Sequence, residues 1–398
     1  MTLLRGTVTG DVRVVDGIVT EVGSLTARPG EPVEDLGGRL LLPAFAEPHI
    51  HLDKAFTWAR TANLGGDLAG AMSGYSRVAA SPSPEDIRTR ALAALRLLLS
   101  AGATAVRCQV GCGPLSGITA IEALVEVREK VAGVVDLQIV AHAAVPPSGA
   151  GRAGGDDRAH RALLRRAVTA GADLIGGNPF LEASPEAALE ACFEVAADLG
   201  VGVDLHVDET TDPSVLTLPD VAKYAREHPW PVTAAHCVSL GSQPIERARE
   251  IAGDIAAAEV SVVTLPATNL YLQGREDRRR GLTVIDVLRE AGVTVAAGSD
   301  NVQDPFNPTG RCDPLETASL LVTAGHQEPS TALAMVSAEA RALLGLPPAG
   351  LAPGMVADLV AIRADGPHDT IATASADRIV WRRGRVVART EVSGETAI

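Results

Sequence analysis

The chain has 398 residues, of which 46% are hydrophobic, 21% charged and 3% aromatic, enough apolar material to bury a large core and to exclude a disordered chain. Its 35 Lys+Arg against 49 Asp+Glu leave a formal charge of −14, which repels phosphate backbones and anionic lipid and argues against nucleic-acid or membrane partners. No apolar run reaches the roughly 18–20 residues a membrane-spanning helix needs.

At the N-terminus, Arg5 and Gly6 interrupt the apolar start, so no secretory leader is expected. The five scattered cysteines (Cys108, Cys112, Cys192, Cys237, Cys312) form no C-x-x-C pair and read as reduced, buried thiols of a cytoplasmic protein. Residues 12–22 alternate in β-branched runs about Asp16-Gly17, a hairpin signal. The last fifty residues behave alike, with strand patterns at 357–362 and 379–387. Both termini are therefore expected to build one small β-sandwich domain, 1–43 plus 346–398.

Between them, strand patterns at 41–48, 103–110, 136–143, 172–177, 202–207, 232–236, 260–265 and 293–298 alternate with helical ones. Over 85–99, for example, Ile87, Ala91, Leu92, Leu95, Leu98 and Leu99 share one helix face, and Gly102 marks its end. Helix–Gly–strand junctions recur at Gly171, Gly200 and Gly292. Eight such units predict an α/β fold, a (β/α)8 TIM barrel over 44–345. An open nucleotide-binding sheet is the weaker reading, because no G-x-G-x-x-G follows an early strand. The segment 146–155 reads as a flexible loop.

Chemistry concentrates at the strand ends. His49 and His51, two apart, project to the same side at the end of the first strand, a natural start for a divalent-metal site. Strand five ends in His206-Val207-Asp208-Glu209, strand six in His236 and strand eight in Asp300-Asn301. All lie on the face where barrel enzymes keep their active sites. His160, His228, His326 and His368 fall away from strand ends.

These segments, led by Pro43-Ala-Phe-Ala-Glu-Pro-His-Ile-His-Leu-Asp-Lys54 and Asp300-Asn-Val-Gln-Asp-Pro305, resemble the amidohydrolase superfamily. Asp136-Leu-Gln-Ile-Val140 and Asn269-Leu-Tyr-Leu-Gln-Gly-Arg275 resemble its cytosine deaminase-like branch. The resemblance implies that His49, His51, His206 and Asp300 bind one divalent ion, zinc first, iron(II) or manganese as alternatives. It further implies that Glu209, His236 and Asp300 are catalytic, that ammonia is released from a small nitrogen heterocycle, and that the enzyme is a homo-oligomer.

A lysine bridging two metals is absent from the fourth strand, whose end reads Ile175-Gly-Gly-Asn-Pro-Phe-Leu-Glu182. Lys130 and Lys223 read as helix-surface residues, so one ion is expected unless Glu182 bridges a second. Cytosine deaminases carry an amide-reading glutamine where this chain has His142-Ala143, so cytosine is not the expected substrate. Gln109, His142, Asn301 and Phe306 are the expected substrate contacts, with Trp58 a further aromatic near the first strand. Lys54 is expected to pair with Asp53, and Arg275 with Arg278–Arg280 to be solvated surface; the alternative is a loop closing on an anionic substrate group. Two other functions remain open: hydrolysis of an N-alkylamine or cyclic amide, and a catalytically silent scaffold. The zinc cytidine deaminase fold is excluded, because its H-x-E and P-C-x-x-C pattern is missing.

Overall fold

The computed structural model describes the chain except residues 8–9, 80–82, 115, 144–156, 276–277 and 396–398, so the loop expected at 146–155 lies outside the described residues. One eight-stranded parallel sheet runs in sequence order through Phe45–Ile50, Ala103–Cys112, Asp136–Ala143, Leu174–Gly177, Gly202–Val207, Val232–His236, Ser261–Thr264 and Val295–Ala297. Helices follow the strands and bury their apolar stripes against them. In Pro84–Ser100 the Ser83 hydroxyl accepts from the Asp86 amide, Glu85 and Asp86 occupy the positive end of the helix, and Ile87, Ala91, Ala94, Leu95 and Leu98 are buried. Leu92 and Leu99 pack at the edge of that stripe, as the periodicity predicts.

The barrel closes between its last and first strands by a single bridge, Ile50 with Asp300. The Asp300 amide donates to the His49 carbonyl at 3.0 Å, and the His51 amide donates to the Asp300 carbonyl at 2.9 Å. The seam is thus stitched by the residues singled out for metal chemistry. No helix among the described residues is long and apolar enough to cross a membrane.

The termini form two four-stranded sheets. One holds Thr2–Thr7, Gly10–Val15, Ile18–Gly23 and Val33–Asp35; the other holds Leu40–Pro43, Leu359–Ile362, Arg378–Arg382 and Arg385–Thr390. Leu4, Val12, Val14, Val19, Leu41, Leu359, Ile379 and Trp381 fill the space between them, forming the expected β-sandwich. Asp16 and Gly17 both take positive φ (49° and 81°), as a two-residue hairpin turn between Val15 and Ile18 requires.

Two departures from the expected boundaries bear on the site; strands four, seven and eight are also shorter than expected, at Leu174–Gly177, Ser261–Thr264 and Val295–Ala297. The run 41–48 is two strands: Leu40–Pro43 pairs antiparallel with Leu359–Ile362, and the barrel begins at Phe45. Both pieces are largely apolar and buried, so hydrophobicity alone does not mark the change of sheet. The second barrel strand continues to Cys112 rather than stopping at 110, which sets Gln109 below the barrel mouth.

Candidate metal centre and active site

His49, His51, His206 and Asp300 are buried, and one ligand atom from each lies within 4.8 Å of the others. His51 Nε2 is 3.1 Å from His206 Nε2 and 3.2 Å from Asp300 Oδ1, while His49 Nε2 is 3.6 Å from that oxygen. Ligands on a tetrahedral ion with bonds near 2.0–2.1 Å stand roughly 3.3 Å apart, so the spacing suits one divalent ion. His49 Nε2 and Asp300 Oδ1 have no hydrogen-bond partner, although buried polar atoms almost always find one. The donor set and its orphaned atoms fit a metal.

Parts of the cluster are held from behind. His51 turns Nε2 towards the cluster, 3.1 Å from His206 Nε2 and 3.2 Å from Asp300 Oδ1. Asp300 takes φ 63° and His236 φ 69°, left-handed conformations at strand ends of the kind that concentrate at functional sites. Glu47 fastens the seam: its carboxylate accepts from the His49 amide at 3.1 Å, the Ser299 amide at 3.0 Å and the Ser299 hydroxyl at 2.7 Å. A Cβ on Gly298 would come 2.5 Å from that carboxylate, so only glycine lets the two strands approach. Burial pushes the Glu47 carboxyl up to about 8, against the pull of those hydrogen bonds. The sequence reading passed over Glu47, although alternation two residues before His49 places it on the same side.

The cluster opens into a cavity of about 300 Å³. Its polar side is formed by His51, His142, His206, Glu209, His236, Asp300 and Asn301. Its apolar wall is Leu68, Met72, Tyr75, Pro114, Leu181 and Phe306. Burial pushes the Glu209 carboxyl well above the ordinary range, reinforced by Asp300, and lowers His236 to about 4. In both cases removal from water disfavours the charged form, the carboxylate of Glu209 and the imidazolium of His236. The His142 ring lies 4.3 Å from the His206 ring at an interplanar angle of 59°, and burial lowers His142 to about 3.

A model of the amidohydrolase family matches residues 67–388. The chain belongs to the amidohydrolase family. Among proteins similar to this amidohydrolase, a pterin deaminase of Rhizobium rhizogenes is 33% identical over 396 residues, covering 97% of this chain and 89% of that one. An N-isopropylammelide isopropyl amidohydrolase of Pseudomonas sp. is 25% identical over 376 residues, 90% of this chain and 88% of that one. The structure of 5-methylcytosine deaminase from Klebsiella pneumoniae liganded with 5-fluorocytosine superposes with a TM-score of 0.88 at 29% identity, covering 100% of this chain and 98% of that one. Family membership makes the protein a hydrolase of carbon–nitrogen bonds other than peptide bonds.

Several expected contacts take other places in this amidohydrolase. Gln109 does not line the cavity: it lies under His49, with Nε2 2.9 Å from Asp204 Oδ1 and 3.4 Å from His49 Nδ1. The longer second strand puts it a layer too deep to meet substrate. Asn301 lines the cavity but is tied down, donating to Asp304 at 2.8 Å. Phe306 lines it with one face covered by the Lys54 ammonium, 3.9 Å from the ring centroid. Lys54 thus faces the cavity, and the expected pairing with Asp53 is not made; Asp53 accepts from the Gly111 amide at 3.0 Å and the Tyr75 hydroxyl at 3.4 Å.

Trp58 opens the helix Trp58–Thr61 outside the cavity lining. Arg275, Arg279 and Arg280 reach main-chain carbonyls of Gly66, Thr211 and Ala324, tying loops together outside the cavity. Glu182 contributes nothing to the four-atom cluster, and Lys130 and Lys223 are exposed on helices.

Proposed function

We propose that this amidohydrolase is a mononuclear, zinc-dependent deaminase that replaces the exocyclic amino group of a 2-amino-4-oxopteridine, or a closely related fused amino heterocycle, by oxygen. The observation that carries this reading is the joint presence, in one cavity, of the four-atom metal cluster and a buried Glu209 3.7 Å from His236. Near full-length identity to a pterin deaminase supports the substrate class. His49, His51, His206 and Asp300 would hold the ion, which would supply the acidification that lets water attack at neutral pH.

Asp300 accepts a proton from the attacking water. Glu209 gives its proton to the ring nitrogen beside the attacked carbon, which spreads the developing charge, and takes one back from the added hydroxyl as the carbonyl forms, while the proton held by Asp300 leaves with the amine as ammonia. His236 hydrogen-bonds the oxygen adding to that carbon. The apolar wall of Leu68, Met72, Tyr75 and Leu181 suits a flat bicyclic ring and excludes water. His142 and Asn301 meet the ring's polar edge, and Phe306, with Lys54 across it, closes one side. Cytosine lies outside this assignment, and we propose a cytoplasmic homo-oligomer acting on free heterocycles, without nucleic-acid or membrane partners.

The test is ammonia release by zinc-loaded protein across pterin, cytosine, isocytosine and N-alkylaminotriazines. Pterin turnover with kcat/KM at least ~10²-fold above cytosine is expected, in the range that mismatched polar groups produce. Alkylamine release from the triazines with no ammonia from pterin would replace this reading by that of an N-alkylamine hydrolase.

A further inference from the structure

His236 reaches the cavity through Nε2, which has no hydrogen-bond partner, and it is held from behind. Thr283 donates its hydroxyl to the His236 main-chain carbonyl. The side-chain nitrogen of Asn269, a fully buried residue on the helix Pro266–Leu272 after strand seven, lies 2.9 Å from His236 Nδ1. The only carboxylate near that nitrogen among the described ion pairs, Glu209, stands back at 3.7 Å.

A neutral imidazole has one donor and one acceptor nitrogen, and the partner of the inner nitrogen decides which is which. We propose that Asn269 sets the tautomer of His236: its carboxamide donates to Nδ1, so the ring keeps its proton on Nε2, the nitrogen facing the reacting atoms. As placed, the carboxamide turns its nitrogen to His236 Nδ1 and leaves Oδ1 without a hydrogen-bond partner. The opposite orientation would make Nδ1 the donor and Nε2 the acceptor, so a measurement of the tautomer reads the orientation as well.

His236 is thereby a fixed hydrogen-bond donor and cannot act as a base from Nε2. Asn269 touches no substrate; it is a positioning residue, acting through His236. The catalytic consequence rests on the deaminase reading above, whereas the tautomer itself does not.

Long-range proton–nitrogen correlation spectra of zinc-loaded protein carrying isotope-labelled histidine read the tautomer directly, with the His236 signals identified by their loss in His236→Asn. The expected pattern is a bare Nδ1 and a protonated Nε2. A protonated Nδ1 in the unaltered protein overturns the proposal. Asn269→Asp, which offers only acceptors, should move the proton to Nδ1 and lower kcat by ~10²–10³, as losing one preorganised donor does, with KM and zinc content little changed. An unaltered tautomer in folded Asn269→Asp also overturns it. If no heterocycle is turned over yet the spectra show protonated Nε2, the substrate assignment fails and the role of Asn269 stands.

Discussion

Two layers of the same barrel treat buried polar groups in opposite ways. In the floor, Arg107 spans the interior: it donates to Asp204 Oδ2 at 2.8 Å, Gln138 Oε1 at 2.9 Å, Thr233 Oγ1 at 3.2 Å and the Leu343 carbonyl at 3.3 Å. At the mouth, His49 Nε2, His206 Nδ1, Glu209 Oε1, His236 Nε2 and Asp300 Oδ1 lack partners. Each buried orphan costs roughly 1–3 kcal/mol; below the mouth Gln109 Oε1 is orphaned beside paired groups, whereas at the mouth five orphans share one cluster, which calls for a role. Orphaned atoms, more than burial or charge, separate the layer that holds the barrel together from the layer built to receive something.

That contrast can be broken or sharpened by experiment. His51→Ala removes one ligand from the mouth and should strip bound metal and abolish turnover while the fold persists; elemental analysis with circular dichroism reads both, and an unchanged metal-to-protein ratio contradicts the ligand role. Glu209→Gln should retain metal and lose ~10²–10⁴ in kcat, the usual contribution of a general acid–base group; undiminished turnover removes Glu209 from the proton path.

Arg107→Met attacks the floor instead. It leaves Asp204 buried without its ionic partner and should cost about 3–5 kcal/mol in denaturant unfolding, with metal content near one equivalent in whatever folds. A loss below 1 kcal/mol would mean that the floor is not held by this pair.

The smallest effect belongs to the surface. Asp86, between Arg60 and Arg90, is drawn down to about 2 by their hydrogen bonds. Its folded pKa lies below its unfolded value, so the stabilisation is present above pH 4 and disappears as pH falls towards 2. Because the pair is partly solvated, Asp86→Asn should cost only about 1 kcal/mol at neutral pH, and the two stability–pH curves should merge at the acid end.

Much of the site was legible because barrel strands end where chemistry is done. His49, His51, His206, His236 and Asp300 could be aligned by strand counting alone, and the structure brings them together around one point. Gln109 was misjudged because a strand end is the least certain feature of a periodic pattern: two extra residues of ladder moved it from the mouth to the layer beneath. Lys54 was misjudged because adjacency in sequence suggested Asp53 as partner, whereas backbone geometry turned the acid to Gly111 and the ammonium to the Phe306 ring. Glu47 and Asn269 were missed for a different reason. Neither is recognisable as functional until one knows which backbone amide or imidazole nitrogen it faces.

The sequence by itself determined the alternation of strands and helices, the terminal sandwich and the candidates for the His–His–His–Asp cluster, because these depend on periodicity and on residue chemistry at short range. Only the tertiary structure decided that the barrel seam and the four-residue cluster are the same place, that Asn269 faces His236 Nδ1, and which polar atoms stay unpartnered. Those outcomes depend on contacts such as Glu47 with Ser299 and Asn269 with His236, between residues 252 and 33 positions apart, and no local pattern in the chain encodes them.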